Sequence, residues 1–173
     1  MKTQNLAAIV LAAGKGTRMK SSRAKVLHEI AGKPMLYYPL QAAQRAGFEQ
    51  LQVVIGHQAE AVRTAVGQDG VGFVEQARQL GTGHALLCAA DVMSDFSGTL
   101  LLLCGDVPLL RAETLQKMLE IHRNEQAAVT VLTAELENPV GYGRIIRDGE
   151  TVLRIVEEKD AMADEALVCE INT

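Results

Sequence analysis

The sequence predicts an α/β protein in which a mostly parallel sheet is flanked by helices, with a β-hairpin excursion late in the chain. Two continuous apolar runs, Leu6–Leu11 and Thr99–Cys104, are typical of strands that are buried on both faces of a parallel sheet. Between these runs, segments with helical spacing alternate with short segments of strand character. After Asn138-Pro139 the pattern changes to two short β segments joined by Asp148-Gly149, a strong hairpin signal.

The first half of the chain predicts alternating strands and helices. Leu6–Leu11 is the first strand, and the loop Ala12–Arg23 that follows it is rich in Gly, Lys, Arg and Ser. Pro34 suits a helix start, so Met35–Ala46 is predicted as a helix that Gly47 ends. The next predicted elements are the strand Gln52–Ile55, the helix Ala59–Val66, the strand Gly72–Glu75 and the helix Thr82–Val92.

The second half continues this pattern and then changes to short β segments. Thr99–Cys104 is apolar throughout, so we expect it at the centre of the sheet. Glu113–Arg123 is predicted as a helix because its apolar positions recur at spacings of three and four. Ala128–Ala134 is rich in Val and Thr and is predicted as a strand. Gly143–Arg147 and Thr151–Val156 are the two arms of the predicted hairpin.

Length and composition indicate an ordinary globular protein. A chain of 173 residues usually forms one domain and is long enough to bury a substantial core. Hydrophobic residues make up 48% of the chain, but aromatic residues only 3%, and there is no Trp. We therefore expect a core built from Leu, Val, Ile and Ala.

Charge, hydropathy and cysteine content exclude several classes of protein. The net charge of -4 lacks the basic excess of nucleic-acid binders, so no nucleic-acid partner is expected. No apolar run approaches the length of a membrane span, and Leu6–Ala13 is too short for a signal peptide. The widely spaced Cys88, Cys104 and Cys169 argue against a disulfide framework or a zinc site and indicate a reducing cytoplasm.

The loop after the first strand predicts a phosphate-binding site. It reads Leu11-Ala12-Ala13-Gly14-Lys15-Gly16-Thr17-Arg18-Met19 and directly follows a buried strand. Ligands of open α/β sheets bind beyond the carboxyl ends of the strands. Glycines there let the backbone approach a phosphate closely, so that exposed N–H groups can bind its oxygens. Lys15, Arg18 and Lys25 add positive charge.

Two well-known phosphate loops are excluded. The dinucleotide fingerprint GxGxxG needs a third glycine where this chain has Met19, so a dehydrogenase is disfavoured. The P-loop pattern GxxxxGK[ST] is also absent. A bare GxG is weak evidence, whereas the longer string AAGKGTRM, followed by Lys25 in Ala24-Lys25-Val26-Leu27, is far more specific.

This longer string resembles the signature of nucleoside-triphosphate sugar nucleotidyltransferases, LxxGxGTxM followed a few residues later by Pro-Lys. Within that family the chain resembles the N-terminal uridyltransferase domain of bacterial bifunctional N-acetylglucosamine-1-phosphate uridyltransferase/glucosamine-1-phosphate acetyltransferases. Further matching motifs follow in order: KVLHEIAGKPML, EQARQLGTGHAL, GDVPLL, NPVGYGRI, VEEKDA and EINT. The resemblance implies one nucleotidyltransferase (pyrophosphorylase) domain over residues 1–173, with a Rossmann-like sheet. The family pattern has a proline before the lysine, where this chain has Ala24. A proline there would stiffen the approach to Lys25.

The resemblance also implies a reaction. The phosphate of N-acetylglucosamine 1-phosphate attacks the α-phosphorus of UTP, so that pyrophosphate leaves and UDP-N-acetylglucosamine, a cell-envelope precursor, forms. Such a transfer needs alignment and charge neutralisation more than covalent help. The resemblance makes Arg18 and Lys25 catalytic and Asp106 the ligand of a Mg²⁺ cofactor. The nucleotide- and substrate-binding residues that it implies are Leu11, Ala12, Ala13, Gly14, Gly16, Lys25, Gln76, Gly81, Thr82, Gly105, Gly143, Glu157 and Asn172.

Residue chemistry is compatible with the nucleotide roles that the resemblance implies. Gln76, Gly81 and Thr82 match the family's uracil and nucleotide contacts, and a Gln amide offers the donors and the acceptor that a uracil edge requires. Asp106 follows an apolar strand, so its carboxylate would emerge at the carboxyl end of that strand. Mg²⁺ often binds to only one or two carboxylates together with phosphates and water.

The remaining matched positions concern the acceptor sugar. Gly143, Glu157 and Asn172 match family positions that contact the acetylated sugar, where an acid and an amide can bind its hydroxyl groups. The four histidines do not show the spacing of metal ligands, and we assign no catalytic role to them. They are His28, His57, His84 and His122.

Two alternatives stay open. One is a related nucleotidyltransferase with another base or acceptor, such as a molybdopterin guanylyltransferase-like protein. The other is a truncated nucleotide-binding module with little catalysis, because the chain ends inside EINT, at Thr173. We expect the nucleotidyltransferase domain to be incomplete at its C-terminus and to lack the acetyltransferase β-helix domain of a full-length bifunctional protein, whose hexapeptide repeats are missing here. A homo-oligomer remains an expectation only for such a full-length protein.

Overall fold

The described part of the chain folds into two separate compact units. A computed structural model describes residues 5–14, 16, 19–67 and 70–172. The chain divides into the units Met1–Lys117 and Met118–Thr173. Within the described residues, no helix is both long enough and apolar enough to cross a membrane.

The first unit alternates strands and helices along the chain, as the sequence predicts. Its strands are β1 (Leu6–Leu11), β2 (Glu29–Ile30), β3 (Lys33–Pro34), β4 (Gln50–Ile55), β5 (Val71–Glu75) and β6 (Thr99–Cys104). Its helices are α1 (Tyr37–Arg45), α2 (Ala59–Val66) and α3 (Thr82–Cys88), and α4 (Ala112–Asn124) begins in this unit.

A four-stranded parallel sheet forms the centre of the first unit, with the strand order β5-β4-β1-β6. β1 lies between two neighbours, and the side chains of Ala7–Val10 are almost completely buried. The apolar run therefore predicted β1 correctly, with the same bounds. Burying one Ile or Val side chain contributes about 1.5–3 kcal/mol, so β1 and β4 supply a large part of the stability of this unit.

β6 has the predicted bounds, but the prediction that it lies at the sheet centre is wrong for the described part of the chain. It is the edge strand of the four. Leu101 and Leu103 are buried, whereas Leu100 and Leu102 are each 41% exposed. An unbroken apolar run indicates burial on both faces, yet only alternate residues of β6 point into the core of this unit.

Pro34 does not start a helix. It lies in β3, which pairs with β2 across the two-residue turn Ala31-Gly32. Both turn residues have positive φ, 49° and 77°, which is the signature of a tight hairpin turn whose twist matches that of the strands. Helix α1 therefore begins only at Tyr37. α3 ends at Cys88 instead of Val92, because the chain turns and continues as a separate 3₁₀ turn, Asp91–Met93.

The second unit contains an antiparallel sheet. Its strands are β7 (Thr133–Glu135), β8 (Arg144–Asp148), β9 (Thr151–Val156) and β10 (Glu170–Asn172), in the order β7-β10-β8-β9. The predicted hairpin is confirmed as β8 and β9, which pair around Gly149-Glu150. Gly149 has a φ of +56°, a conformation that favours glycine.

The sequence prediction is less accurate for the other two strands of this sheet. Of the predicted strand Ala128–Ala134, only Thr133 and Ala134 belong to β7, because only they lie opposite β10. β10 itself was not predicted, since three residues carry no periodic signal. Its central Ile171 is buried and lies opposite Arg144 of β8.

An ion pair joins β8 to β10 in the second unit. Arg147 donates from Nε to Glu170 Oε2 at 2.6 Å and from Nη2 to Glu170 Oε1 at 2.7 Å. This bidentate geometry is the strongest form of an Arg–carboxylate contact. The Arg147 hydrogen bonds, together with one from Thr133, lower the pKa of Glu170 to about 2.

We expect the stability of the protein to depend on this carboxylate at acidic pH. Because the pKa of Glu170 is lower in the folded state than its ordinary value of 4.5, its stabilising contribution is present above pH 4.5 and is lost as the pH falls through about 2. Urea unfolding between these pH values should show a fall in the free energy of unfolding, and Glu170→Gln should make that fall shallower. Glu137→Gln, at an exposed loop position, is the matched control. Identical pH profiles for Glu170→Gln and the wild type would contradict the assignment.

Candidate active site

The predicted nucleotide-binding residues of the first unit lie at one edge of its parallel sheet. Leu11 of β1 is level with Val54 of β4 and with Cys104 of β6. Because all four strands run in the same direction, the segments that follow them begin side by side. This carboxyl edge is where open α/β sheets bind ligands.

The first residues of the glycine-rich loop are held against the neighbouring strands. Ala12 donates its backbone N–H to Val54 O at 2.8 Å, and Gly105 donates its N–H to Leu11 O at 2.9 Å. These bonds extend the strand pairing past the end of β1. Ala12 is buried, whereas Gly14 is exposed. The loop is therefore fixed to the sheet at Ala12, and its backbone is exposed to solvent at Gly14.

Gly16 packs directly against Lys25. Its φ is +62°, and a Cβ atom at this position would lie 2.6 Å from Lys25 Cβ and 3.4 Å from Lys25 Cα. No side chain fits there without moving the backbone of Lys25. Two physical constraints therefore require a glycine at position 16: its left-handed backbone conformation and its close packing against Lys25.

Lys25 and Asp106 form an ion pair at the sheet edge. Lys25 Nζ contacts Asp106 Oδ2, and the two side chains are 34% and 33% exposed. Lys25 begins a 3₁₀ turn that buries the next two side chains, and Asp106 follows β6 by two residues. Lys25, predicted to be catalytic, and Asp106, predicted to bind a metal ion, are far apart in sequence and lie in direct contact.

Cys104 lies next to this pair and is not a nucleophile in this arrangement. Desolvation and the Asp106 carboxylate raise the pKa of the Cys104 thiol, and Lys25 opposes this shift. A thiol with a raised pKa stays protonated near neutral pH, and only the thiolate is a good nucleophile. The site therefore offers charge and backbone donors, as direct transfer between phosphates requires.

Gln58 supports Ala24, the residue at which the chain departs from the family pattern. Ala24 has a φ of −54°, a value that a proline would also adopt. Its backbone N–H, which a proline would lack, donates to Gln58 Oε1 at 2.7 Å, and Gln58 Nε2 donates to Ser22 O at 2.9 Å. These two hydrogen bonds hold the approach to Lys25 in the conformation that proline would impose.

Two further glycines permit close backbone approaches at this edge. A Cβ atom on Gly105 would lie 2.8 Å from Leu11 O. A Cβ atom on Gly56 would lie 3.0 Å from both Ala13 Cβ and Gln76 O. The segments after β4, β5 and β6 can therefore lie against the base of the glycine-rich loop.

Gln76 is a buried amide directly after β5, only 3% exposed. Its backbone N–H donates to Ile55 O at 2.7 Å, and its carbonyl accepts a bond from Gln79 Nε2 at 3.2 Å. Its side-chain Nε2 donates to Gly81 O at 3.1 Å and lies 3.0 Å from His84 Nδ1. Both the backbone and the side chain of Gln76 are thus held in place.

Gly81 and Thr82 form the start of α3. Gly81 has a φ of +100° with nothing within 4 Å of a Cβ position, so its conformation, rather than crowding, requires a glycine. Thr82 is the first helical residue and is exposed. The motif EQARQLGTGHAL therefore contains both partners of one hydrogen bond, the buried Gln76 side chain and the carbonyl of Gly81.

The predicted sugar-binding residues lie in the second unit. A Cβ atom on Gly143 would lie 2.5 Å from Asn172 Oδ1, so these two residues meet across β8 and β10. Asn172 Oδ1 is buried, and no described residue donates a hydrogen bond to it. Glu157 is exposed and directly follows β9, whose Val156 is level with Arg144.

Arg144 is a functional candidate that the sequence did not single out. It is almost completely buried, it contacts Tyr142 O through Nη1, and its Nη2 lies 3.6 Å from Glu158 Oε2. Glu158 Oε2 also accepts the backbone N–H of Gly141. Arg144 and Glu158 together hold the turn that precedes Gly143. The sequence offered no signal for this role beyond the match of NPVGYGRI.

The site residues thus form three contacting groups among the described residues: Lys25 with Gly16 and Asp106, Gln76 with Gly81, and Gly143 with Asn172. Arg18, Lys15 and Thr17 lie outside the described residues. The described residues contain no group of three or more His, Cys, Asp or Glu that could hold a metal by itself. Asp106 nevertheless fits a magnesium site of the kind that takes most of its ligands from phosphates and water.

Comparison with known proteins identifies the family to which the chain belongs. Residues 8–163 match the family described as the MobA-like NTP transferase domain. The chain is 59% identical, over all of its 173 residues, to the bifunctional protein GlmU of Syntrophotalea carbinolica. It is 56% identical over 171 residues to the bifunctional protein GlmU of Geobacter sulfurreducens. The chain spans 37% and 36% of the length of these relatives, which confirm the resemblance seen in the motifs.

Solved structures confirm the predicted fold class. A UDP-glucose pyrophosphorylase complexed with UDP-glucose superposes with a TM-score of 0.78 at 19% identity, covering 96% of this chain and 73% of that protein. A putative glucose-1-phosphate thymidylyltransferase from Bacillus anthracis superposes with a TM-score of 0.76 at 18% identity, covering 97% of this chain and 69% of that protein. At these identities the likeness concerns the fold alone, and the family is assigned from the sequence. The chain belongs to the MobA-like NTP transferase domain family.

Proposed function

We propose that the chain catalyses uridyl transfer from UTP to N-acetylglucosamine 1-phosphate, with release of pyrophosphate and formation of UDP-N-acetylglucosamine. The observation that carries the proposal is the Lys25–Asp106 pair beside Gly16, at the carboxyl edge of a parallel sheet. A cation, a carboxylate and a glycine-rich backbone are the groups that a metal-bound triphosphate requires.

The glycine-rich loop would bind the triphosphate through its backbone. The base of this loop is fixed by hydrogen bonds to β4 and to the segment after β6, whereas Gly14 is open to solvent. Lys25 would neutralise phosphate charge, and Arg18, from its place in the motif, would do the same for the departing pyrophosphate. Alignment and charge neutralisation supply most of the catalysis in such transfers.

Asp106 would hold the divalent metal ion that nucleotidyltransferases of this family generally use. We propose Mg²⁺, which accepts a single carboxylate together with phosphate oxygens and water, and which when bound neutralises part of the phosphate charge. Because Lys25 contacts the same carboxylate, metal binding and the ion pair compete for Asp106. Lys25 would then be free to turn to the phosphates.

The acceptor sugar would be bound by the second unit. The buried Asn172 Oδ1, to which no described residue donates, is a hydrogen-bond acceptor beside Gly143, whose missing side chain makes room for the Asn172 amide. Glu157 is exposed directly after β9 and would accept hydrogen bonds from sugar hydroxyl groups. We place the reaction in the cytoplasm, in keeping with the free cysteines Cys88, Cys104 and Cys169.

A second candidate is nucleotide binding with little catalysis. The Lys25–Asp106 pair and the glycine-rich backbone would bind a nucleotide whether or not transfer follows. A related transferase with another base is the third candidate.

We expect pyrophosphate release when the chain is supplied with UTP, Mg²⁺ and N-acetylglucosamine 1-phosphate. The measurement is a coupled pyrophosphate assay, with GTP and CTP in place of UTP in parallel reactions. Preferential release with UTP supports the proposal. Tight UTP binding without release would favour the binding module, and faster release with GTP would favour the related transferase.

We expect Asp106→Asn to abolish the effect of Mg²⁺ on UTP affinity. The wild type should bind UTP more tightly with Mg²⁺ than without it, because the carboxylate holds the metal against the phosphates. Calorimetric titration with and without Mg²⁺ measures the difference. Asp95→Asn, which neutralises an exposed acid of the same unit, is the matched control. A magnesium dependence that survives in Asp106→Asn would overturn the metal assignment.

Gly16→Ala should weaken UTP binding by about tenfold or more, because the new methyl group displaces the backbone of Lys25. Gly149→Ala is the matched control, since Gly149 has a similar φ of +56° but nothing within 4 Å of a Cβ position. The control should lose some stability and keep its UTP affinity. Equal affinities in the two variants would show that the contact with Lys25 is unimportant for binding.

A further inference from the structure

His84 contacts the side chain of the buried Gln76 and has no role in the reaction described so far. It lies on α3, two residues after Thr82, and its ring is partly buried. Its Nδ1 atom lies 3.0 Å from Gln76 Nε2 and 3.8 Å from Cys88 Sγ. The ring therefore lies next to the amide of Gln76, a residue that the sequence motifs match to the family's uracil contacts.

The carbonyl of Gly81 determines which end of the Gln76 amide faces α3. A backbone carbonyl can only accept a hydrogen bond, so the amide atom 3.1 Å from Gly81 O must be the NH₂ group. An NH₂ group has two hydrogens, and the second points to His84 Nδ1 at 3.0 Å. Gly81 O and His84 Nδ1 thus accept the two hydrogen bonds that Gln76 Nε2 can donate.

This arrangement also defines the state of the His84 ring. Nδ1 faces the NH₂ group of Gln76 and the thiol of Cys88, both of which are donors, so it carries its lone pair and the ring proton is on Nε2. The position of the ring is set by α3, because Ala85 of this helix and Ala89, the residue after its end, are buried against Ile9, Ala13 and Val54. The acceptor that His84 offers is therefore at a fixed place.

The oxygen of the Gln76 amide is left for a ligand. No described residue donates a hydrogen bond to Gln76 Oε1, although the residue is only 3% exposed. A rotation of the amide by half a turn would place this oxygen against two acceptors, Gly81 O and His84 Nδ1. The lone pairs would repel one another and the NH₂ group would lose both partners, so the observed orientation is strongly preferred.

We propose that His84 is a positioning residue that keeps the Gln76 amide oxygen directed at the base and thereby selects uracil over cytosine. Uracil carries a hydrogen on N3, which an amide oxygen can accept, whereas N3 of cytosine carries a lone pair that the same oxygen repels. The inference rests on the proposed function, because it takes Gln76 as the residue that contacts the base.

The test compares the binding of UTP and CTP to the wild type and to two variants at position 84. His84→Leu keeps the helix and removes the acceptor, whereas His84→Asn can offer its side-chain oxygen near the place of Nδ1. We expect His84→Leu to narrow the ratio of UTP to CTP affinity by about tenfold, since one end of the amide loses a partner. His84→Asn should restore most of that ratio.

A merely structural role of His84 gives a different result. It would weaken UTP and CTP equally and leave their ratio unchanged, so an unchanged ratio in His84→Leu overturns the inference. His122→Leu, at a histidine of the second unit that contacts Thr130, is the matched control and should keep the wild-type ratio. Thermal melting of each variant shows whether it is folded.

A second measurement needs no variant. The wild type should bind UTP at least about tenfold more tightly than the triphosphate of 3-methyluridine, in which the N3 hydrogen is replaced. Equal affinities would overturn the inference even if the position-84 variants failed to fold. A wild type without preference for UTP over CTP would overturn the proposed function together with the inference. A wild-type preference that His84→Leu retains overturns the inference alone.

Discussion

The parallel pairing of β1 with both β4 and β6 is the constraint on which the proposed site depends. It brings Leu11, Val54 and Cys104 to one level, so that the segments after these strands start from a common edge. Lys25 and Asp106 are far apart in sequence, and they meet because each lies just beyond that edge. A shift of one residue in either pairing would invert the faces of a strand and separate these groups.

Glycines turn this common edge into a tightly packed surface. Gly16, Gly56 and Gly105 each lie where a Cβ atom would come within 3.0 Å of a neighbouring atom, and that neighbour belongs to another segment of the same site. Gly14 differs, because nothing lies within 4 Å of its Cβ position. The first three glycines therefore assemble the site, whereas Gly14 leaves backbone open to a ligand.

Local patterns predicted much of the fold. β1, α2 and β6 have the bounds that the sequence predicts, because apolar runs and helical spacing are local properties. The edge position of β6 and the place of Pro34 in a hairpin could not be predicted, since both depend on which segments pair. The motifs also named the residues of the proposed site. They could not show the contacts of Gln58 with Ala24 or of His84 with Gln76, because short polar contacts leave no periodic trace in a sequence.

The most direct test of the central claim is a crystal structure of the chain with bound UTP and Mg²⁺. The proposed function predicts the triphosphate against the backbone of Gly14 and Gly16, with Lys25 at the phosphates and the metal at Asp106. The inference about His84 predicts in addition that uracil N3–H donates a hydrogen bond to Gln76 Oε1. A nucleotide bound elsewhere, or one whose phosphates make no contact with the glycine-rich loop, would contradict the proposed function.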